Sequence, residues 1–192
     1  MRGVAVVVMV VVAAVGCGDS GTSSDAPPGG DDDGAPPAAD ASTDPFEAAR
    51  AACIDKINAL RATKGRAAYT RWRAMESCVD DEATADETSG TPHGAFAGGM
   101  TCGANGQNEC LGAGVDGIVG CLDSMWGEKD QAGCSGCDAC ADGYDPNCPN
   151  CDFYGDTTGD VCGHYVNMSA NYFSMAACGF SSLGGWDAIN FR

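Results

Sequence analysis

The sequence predicts an α+β domain in which helices come first and an antiparallel sheet, covered by those helices, comes last. Two observations carry that expectation. In the first half of the ordered chain, apolar residues recur at three- and four-residue steps, and near its end short alternating or aromatic-rich segments follow one another at hairpin-like spacing. A third observation sets the domain apart from an ordinary one: a block at about 130–161 is dense in cysteine and almost free of core-forming residues, and reads as a disulfide-stapled insertion.

The chain has 192 residues. Residues 1–16 have the layout of a signal peptide: Met1-Arg2, an apolar run from Val4 to Val15, and small residues before Cys17. That run is too short to span a bilayer. Ala14-Val15-Gly16-Cys17 is similar to a bacterial lipobox, in which the cysteine becomes a lipidated N-terminus. Of the 13 cysteines, removing Cys17 leaves an even number, suited to disulfides in an oxidising compartment. The expected location is therefore extracytoplasmic, lipid-anchored to a bacterial membrane at the outer membrane or cell surface. Residues 17–43 are Gly, Ser, Pro, Ala and Asp, including Asp31-Asp32-Asp33, and predict a disordered, lipid-anchored linker. The domain proper is expected at 44–192, long enough to bury a core. Its net charge of -17 and lack of a basic patch exclude nucleic acid as a partner.

Asp44-Pro45-Phe46-Glu47 reads as a helix start, with Asp44 as cap, Pro45 in the first turn and Glu47 completing a capping-box-like arrangement. Phe46, Ala49, Cys53, Ile57 and Leu60 then share a face, and Lys64-Gly65 supplies the stop. A second helix is expected from about Arg71 to Asp86, with Trp72, Met75, Val79 and Ala83 as its stripe. Since Cys53 and Cys78 fall on these two helices, a bond between them is one expectation, although spacing alone does not fix pairing. Gly-rich loops carry His93 and a turn at Gly106-Gln107-Asn108-Glu109-Cys110. A third helix is expected over about Val115 to Lys129, through Ile118, Leu122, Met125 and Trp126, and strands at Gly163 to Ser169, about Ala177 to Ser181, and Trp186 to Phe191.

The order Ile57-Asn58-Ala59-Leu60-Arg61, Gly65, Trp72, His93, Asn108-Glu109, Trp126-Gly127-Glu128, Gly163-His164-Tyr165-Val166-Asn167-Met168 and Ala177-Cys178-Gly179-Phe180 resembles the CAP superfamily. This SCP-like family groups cysteine-rich secretory proteins, antigen 5 and pathogenesis-related 1 proteins. Its signature is Gly-His-Tyr-Thr-Gln-Met-Val-Trp followed by a Gly-Cys-Gly strand. Gly163, His164, Tyr165 and Met168 match, Val166 and Asn167 differ, and Ser169-Ala170 replaces Val-Trp. The resemblance implies an α-β-α sandwich with a cleft tetrad of His93, Glu109, Glu128 and His164, and in some relatives lipid or sterol binding. The Asn108-Glu109 order is reversed relative to the family's Gly-Glu-Asn turn. The 35 residues between Glu128 and His164 exceed the family's usual interval, which places the cysteine block as an insertion at the cleft rim.

Two imidazoles and two carboxylates in one cleft suit Zn2+ or another divalent cation. Two alternative readings are that the same groups activate water for hydrolysis, or that the histidines stand as hydrogen-bonded core residues with no ligand. No G-x-S-x-G or H-E-x-x-H motif is present, and no catalytic residue is assigned. The cysteines Cys134, Cys137, Cys140, Cys148 and Cys151 have the spacing of a thiolate zinc site, but export favours disulfides. With Cys53, Cys78, Cys102, Cys110, Cys121, Cys162 and Cys178 they make up the disulfide candidates. Asp138, Asp142, Asp145, Asp152, Asp156 and Asp160 offer a calcium reading without the EF-hand pattern, or a solvated acidic loop. Three functions follow: a membrane-anchored binding module for a cation and a lipid or other extracellular ligand, a structural or protein-interaction domain with no small ligand, and a peptidase-type hydrolase.

Overall fold

In the computed structural model, the described residues are 44–143, 145 and 148–192. The expected signal peptide, lipidated Cys17 and linker lie outside them. Helix α1, Glu47–Ala62, forms where expected and buries Ala49, Cys53, Ile54 and Ile57. Its start differs in detail. Asp44 accepts the N–H of Phe46 at 2.9 Å, whereas Glu47, cast above as the capping-box acid, turns outward to a bidentate pair with Arg71 at 2.7 Å.

The second helix begins later than its apolar spacing suggests. Thr70–Arg71 forms a short strand, β1, parallel to a later strand at Met175–Phe180, and the N–H of Trp72 donates to Ala176 at 2.8 Å. The sheet thus draws these residues out of the helix, and α2 runs only Glu76–Ser89. Gly90 closes it in the left-handed region at φ 65. A four-residue helix α3, Gly94–Ala97, follows. Residues 106–110, read above as a turn, instead belong to strand β2 (Gly106–Leu111). Helix α4 spans Gly114–Gly127 and buries the expected Ile118, Leu122, Met125 and Trp126.

A second correction concerns the segment 163–169, expected as a strand. It is helix α6, Gly163–Ser169, and six of its seven residues are buried. Burial on every side removes the polar face that would have shown a helical period. Strands β3, Met175–Phe180, and β4, Trp186–Phe191, complete the fold.

The sheet has the order β1-β3-β4-β2 and is mixed, not antiparallel as expected: β2–β4 and β3–β4 are antiparallel, whereas β1 joins β3 in parallel. Alternation divides the sheet's side chains between two helical coverings. Ala177 and Ala188 pack with Val79 and Ala83 of α2, and a Cβ on Gly179 would lie 2.4 Å from the Val79 carbonyl carbon, so only glycine admits this approach. Cys178, Ile189 and Phe191 join the larger core with α1, α4 and α6.

All twelve described cysteines are paired: Cys53–Cys178, Cys78–Cys102, Cys110–Cys121, Cys134–Cys162, Cys137–Cys151 and Cys140–Cys148. The expected Cys53–Cys78 bond is not formed, since Cys53 faces β3 while α2 packs on the sheet's other side. The last three bonds nest inside one another and hold the insertion, which contains the short helix α5, Cys137–Asp142. Asp138 and Asp142 tie it to Lys64 (2.9 Å) and Arg66 beyond the end of α1. No described helix is long and apolar enough to cross a membrane.

Candidate functional site

Edge strand β2 organises the site because its consecutive side chains go to opposite faces. Gln107 and Glu109 turn to the α2 side, where the Gln107 amide donates to Glu82 at 3.3 Å. Asn108 and Cys110 turn to the α4 side, where Cys110 bonds Cys121. One histidine approaches from each side.

His93 sits between α2 and α3 at φ 58, a conformation that a residue other than glycine rarely takes. It is held there from β2. Its N–H donates to Glu109 Oε2 at 2.7 Å, and its Nδ1 lies 2.8 Å from Gln107 Oε1. Because the Gln107 nitrogen is committed to Glu82, its oxygen must accept from the ring. Nδ1 therefore carries the proton and Nε2 the lone pair.

His164 occupies the first turn of α6. Gly163 before it is required by packing, since a Cβ there would come within 2.9 Å of the Phe153 carbonyl oxygen. Glu128, just past α4, spans the ring and the helix start: Oε1 is 2.5 Å from His164 Nδ1, and Oε2 accepts the Tyr165 N–H at 3.0 Å. Asn108 donates to the His164 carbonyl at 3.0 Å, and Asn167 donates to Asn108 at 3.0 Å. A carboxylate on Nδ1 again leaves the lone pair on Nε2. The two rings lie 6.4 Å apart between centroids, inclined by 28°. Neither Nε2 has a hydrogen-bond partner among the described residues.

The four expected site residues therefore come together in unequal roles. The histidines face each other, while Glu128 orients His164, and Glu109 holds the backbone of His93 with its Oε2 still 3.9 Å from Nδ1. Among the described residues, no three of these four bring ligand atoms within 4.8 Å of one another. The one group that does is Cys134, Cys137 and Cys162, whose sulfurs are already in disulfides. As placed, the four residues do not make a closed four-ligand site. Neither ring hydrogen-bonds a serine, threonine or cysteine among the described residues.

Behind His93 lies a group that the sequence reading missed. Glu82, Asp86, Glu109 and Asn190 are all buried; among the described residues Glu82 Oε1 and Asn190 Oδ1 have no hydrogen-bond partner, and the Glu109 carboxyl lies within hydrogen-bonding reach of Asp86. Burial, reinforced by Asp86, pushes the Glu109 carboxyl up to about 8, opposed by the His93 N–H. Burial likewise pushes Glu82 up to about 7 against the hydrogen bonds from Asn190 and Gln107. Burial also holds His93 below its ordinary value, with the Gln107 bond opposing and the His164 charge adding. The available sequence signal was the spacing Val79, Glu82, Ala83, Asp86, a helical core stripe with two acids in it.

The chain matches no protein-family model and no curated protein sequence.

Proposed function

We propose that the chain is an extracytoplasmic binding module of the CAP type. In this reading it is an α-β-α sandwich carried on a lipid anchor at Cys17, whose His93 and His164 hold a divalent cation such as zinc and present it to a lipid or other extracellular ligand. The observation that supports this reading most is the facing ring pair, with each Nδ1 engaged by a different partner, Gln107 or Glu128, and each Nε2 left open. Two core histidines with no ligand would need no such matched orientation. When bound, a cation there offers its free coordination positions to an anionic or carbonyl-bearing ligand. The six disulfides accord with export.

Equilibrium dialysis against zinc tests the reading. The wild-type protein is expected to take up about one ion, His93→Ala/His164→Ala to lose affinity at least tenfold, and Glu128→Gln to lose about tenfold through misorientation of His164. If the double variant keeps wild-type uptake, the cleft reading fails and an interaction domain without a small ligand takes its place. Peptide turnover abolished in the same variant would instead establish a hydrolase. Because a bound cation requires neutral imidazoles, affinity should fall as the solution is acidified, and a flat profile from pH 8 to 5 contradicts the proposal. Cys17→Ser should release the protein from the membrane fraction.

A further inference from the structure

A chain of buried hydrogen bonds runs from a backbone carbonyl to the ring of His93, and its polarity is fixed where it starts. The Asn190 amide nitrogen donates to Thr101 O at 3.3 Å and to Glu82 Oε2 at 2.6 Å. Thr101 O can only accept, so the Asn190 amide cannot be turned round without setting oxygen against oxygen. The same Glu82 oxygen accepts the Gln107 amide nitrogen at 3.3 Å, and Gln107 Oε1 lies 2.8 Å from His93 Nδ1. Asn190, Glu82 and Gln107 are all buried, so no bulk water stands ready to replace a lost partner. Glu82 Oε2 fills its place in either protonation state, because a proton would sit on Oε1, which has no hydrogen-bond partner among the described residues.

The members of the chain are held in place by the fold around them. Gln107 and Asn190 are direct partners across β2 and β4. Glu82 lies one turn after Cys78 on α2, and the Cys78–Cys102 bond joins that helix to the loop bearing Thr101. The two histidines thus differ in how a carboxylate reaches them. Glu128 touches Nδ1 of His164 directly, whereas Glu82 stands one amide away from Nδ1 of His93. Direct contact brings negative charge to the ring; contact through an amide passes on direction alone.

We propose that Glu82 is the positioning residue of His93: acting through Gln107, and held by Asn190 against the Thr101 carbonyl, it selects the Nδ1–H tautomer and leaves the lone pair on Nε2. Without Glu82 the Gln107 amide is free to turn over and donate to Nδ1, which moves the ring proton to Nε2 and closes that nitrogen to a cation. The role rests on the histidine pair being the proposed cation site, but the tautomer itself is a property of the cation-free protein.

Long-range nitrogen–proton correlation NMR of the isotope-labelled full oxidised chain, without metal and at about pH 8 where imidazoles are neutral, reads the tautomers directly. Wild-type His93 is expected to show a protonated Nδ1 and a bare Nε2. Glu82→Met, or Glu82→Leu if the first does not fold, should move at least about half of His93 to the Nε2–H form. Glu82→Gln, whose carbonyl can stand where Oε2 stands, should restore the wild-type pattern. Asp187→Asn, which alters a buried acid on the opposite face of β4 from Asn190, should leave His93 unchanged, and His164 should keep its signals in every variant. Zinc affinity should follow the tautomer, about tenfold weaker in Glu82→Met and within about twofold of wild type in Glu82→Gln. A wild-type His93 with its proton on Nε2, an unchanged tautomer without Glu82, or an equal change in Asp187→Asn would each overturn the proposal. Zinc uptake missing from a wild-type protein that shows the expected tautomers would reject the cation site and leave the role of Glu82 standing.

Discussion

The helix–sheet framework and the cysteine insertion solve the problem of a fixed backbone in opposite ways. The framework does it by burial: Ile57, Val79, Leu122, Ile189 and Phe191 are fully enclosed, and the sheet is covered on both faces. The insertion has almost no large aliphatic residue to bury. Its interior is the sulfur of Cys134, Cys137, Cys140, Cys148 and Cys151, with Phe153 at the seam to the core. Apolar burial yields a core that resists water everywhere, whereas cross-links fix a shape while leaving its concave face wet and charged. The first suits a scaffold and the second a surface.

The largest expected effect breaks that contrast from the framework side. Cys53–Cys178 spans 125 residues and joins α1 to β3. Its removal as Cys53→Ala/Cys178→Ala should lower stability by about 4 kcal/mol in chemical denaturation, against roughly half that for Cys140→Ala/Cys148→Ala, which closes only 8 residues. The latter loss should appear as proteolysis within the insertion and leave the cooperative unfolding of the framework intact. An equal global loss from both would show that the two regions fold as one.

Next in size is Arg61, buried to 1% exposure beneath the end of α1. It donates to the carbonyls of Ala67, Met168 and Ala170 at 2.7, 2.7 and 2.9 Å, with its guanidinium 3.5 Å from the Tyr69 ring centroid. This one charge ties α1 to the end of the helix that carries His164. Arg61→Ala strands those carbonyls and should cost about 3 kcal/mol, read as a lower denaturant midpoint.

A smaller effect concerns pH. Burial first, then the Glu87 charge, pushes the Asp187 carboxyl up to about 7, and Glu82 likewise stands near 7. Both folded values exceed the unfolded ones, so the stability they contribute is complete below about pH 4 and is lost as pH rises through about 7. His93 acts in the opposite sense: its depressed value contributes stability above about 6.5 that fades as the solution is acidified below it. The framework should therefore melt several degrees lower at pH 8 than at pH 5.5. Asp187→Asn should flatten that slope in a thermal scan series, and an unchanged slope contradicts the assignment. The smallest effect is at the seam, where Lys64→Ala breaks an exposed pair with Asp138 and should cost under about 1 kcal/mol.

Legibility in the sequence followed the same division. The framework helices α1 and α4 and strand β4 were visible because each carries a periodic apolar pattern and a recognisable end. Two misreadings share a cause. Strand β2 reads as a turn because Gln107, Asn108 and Glu109 are poor strand formers, kept in the strand for their contacts to the two histidines. Helix α6 reads as a strand because it is buried nearly all round. Both lie at the candidate site, where local preference and tertiary role conflict. The even number of cysteines after Cys17 was informative, but their partners depend on which face of the sheet each helix covers, and no spacing reports that. The buried acids of α2 were overlooked because an acid on a helix is ordinarily read as solvated.

Because β2 holds His93 from one face and the His164 carbonyl from the other, a slip of one residue along β4 would exchange its two sets of side chains and break both sets of bonds. The same slip would swing Cys110 away from Cys121. One register of β2 on β4 therefore serves both the histidine pair and the Cys110–Cys121 bond, and the closed disulfide ties that edge strand to α4.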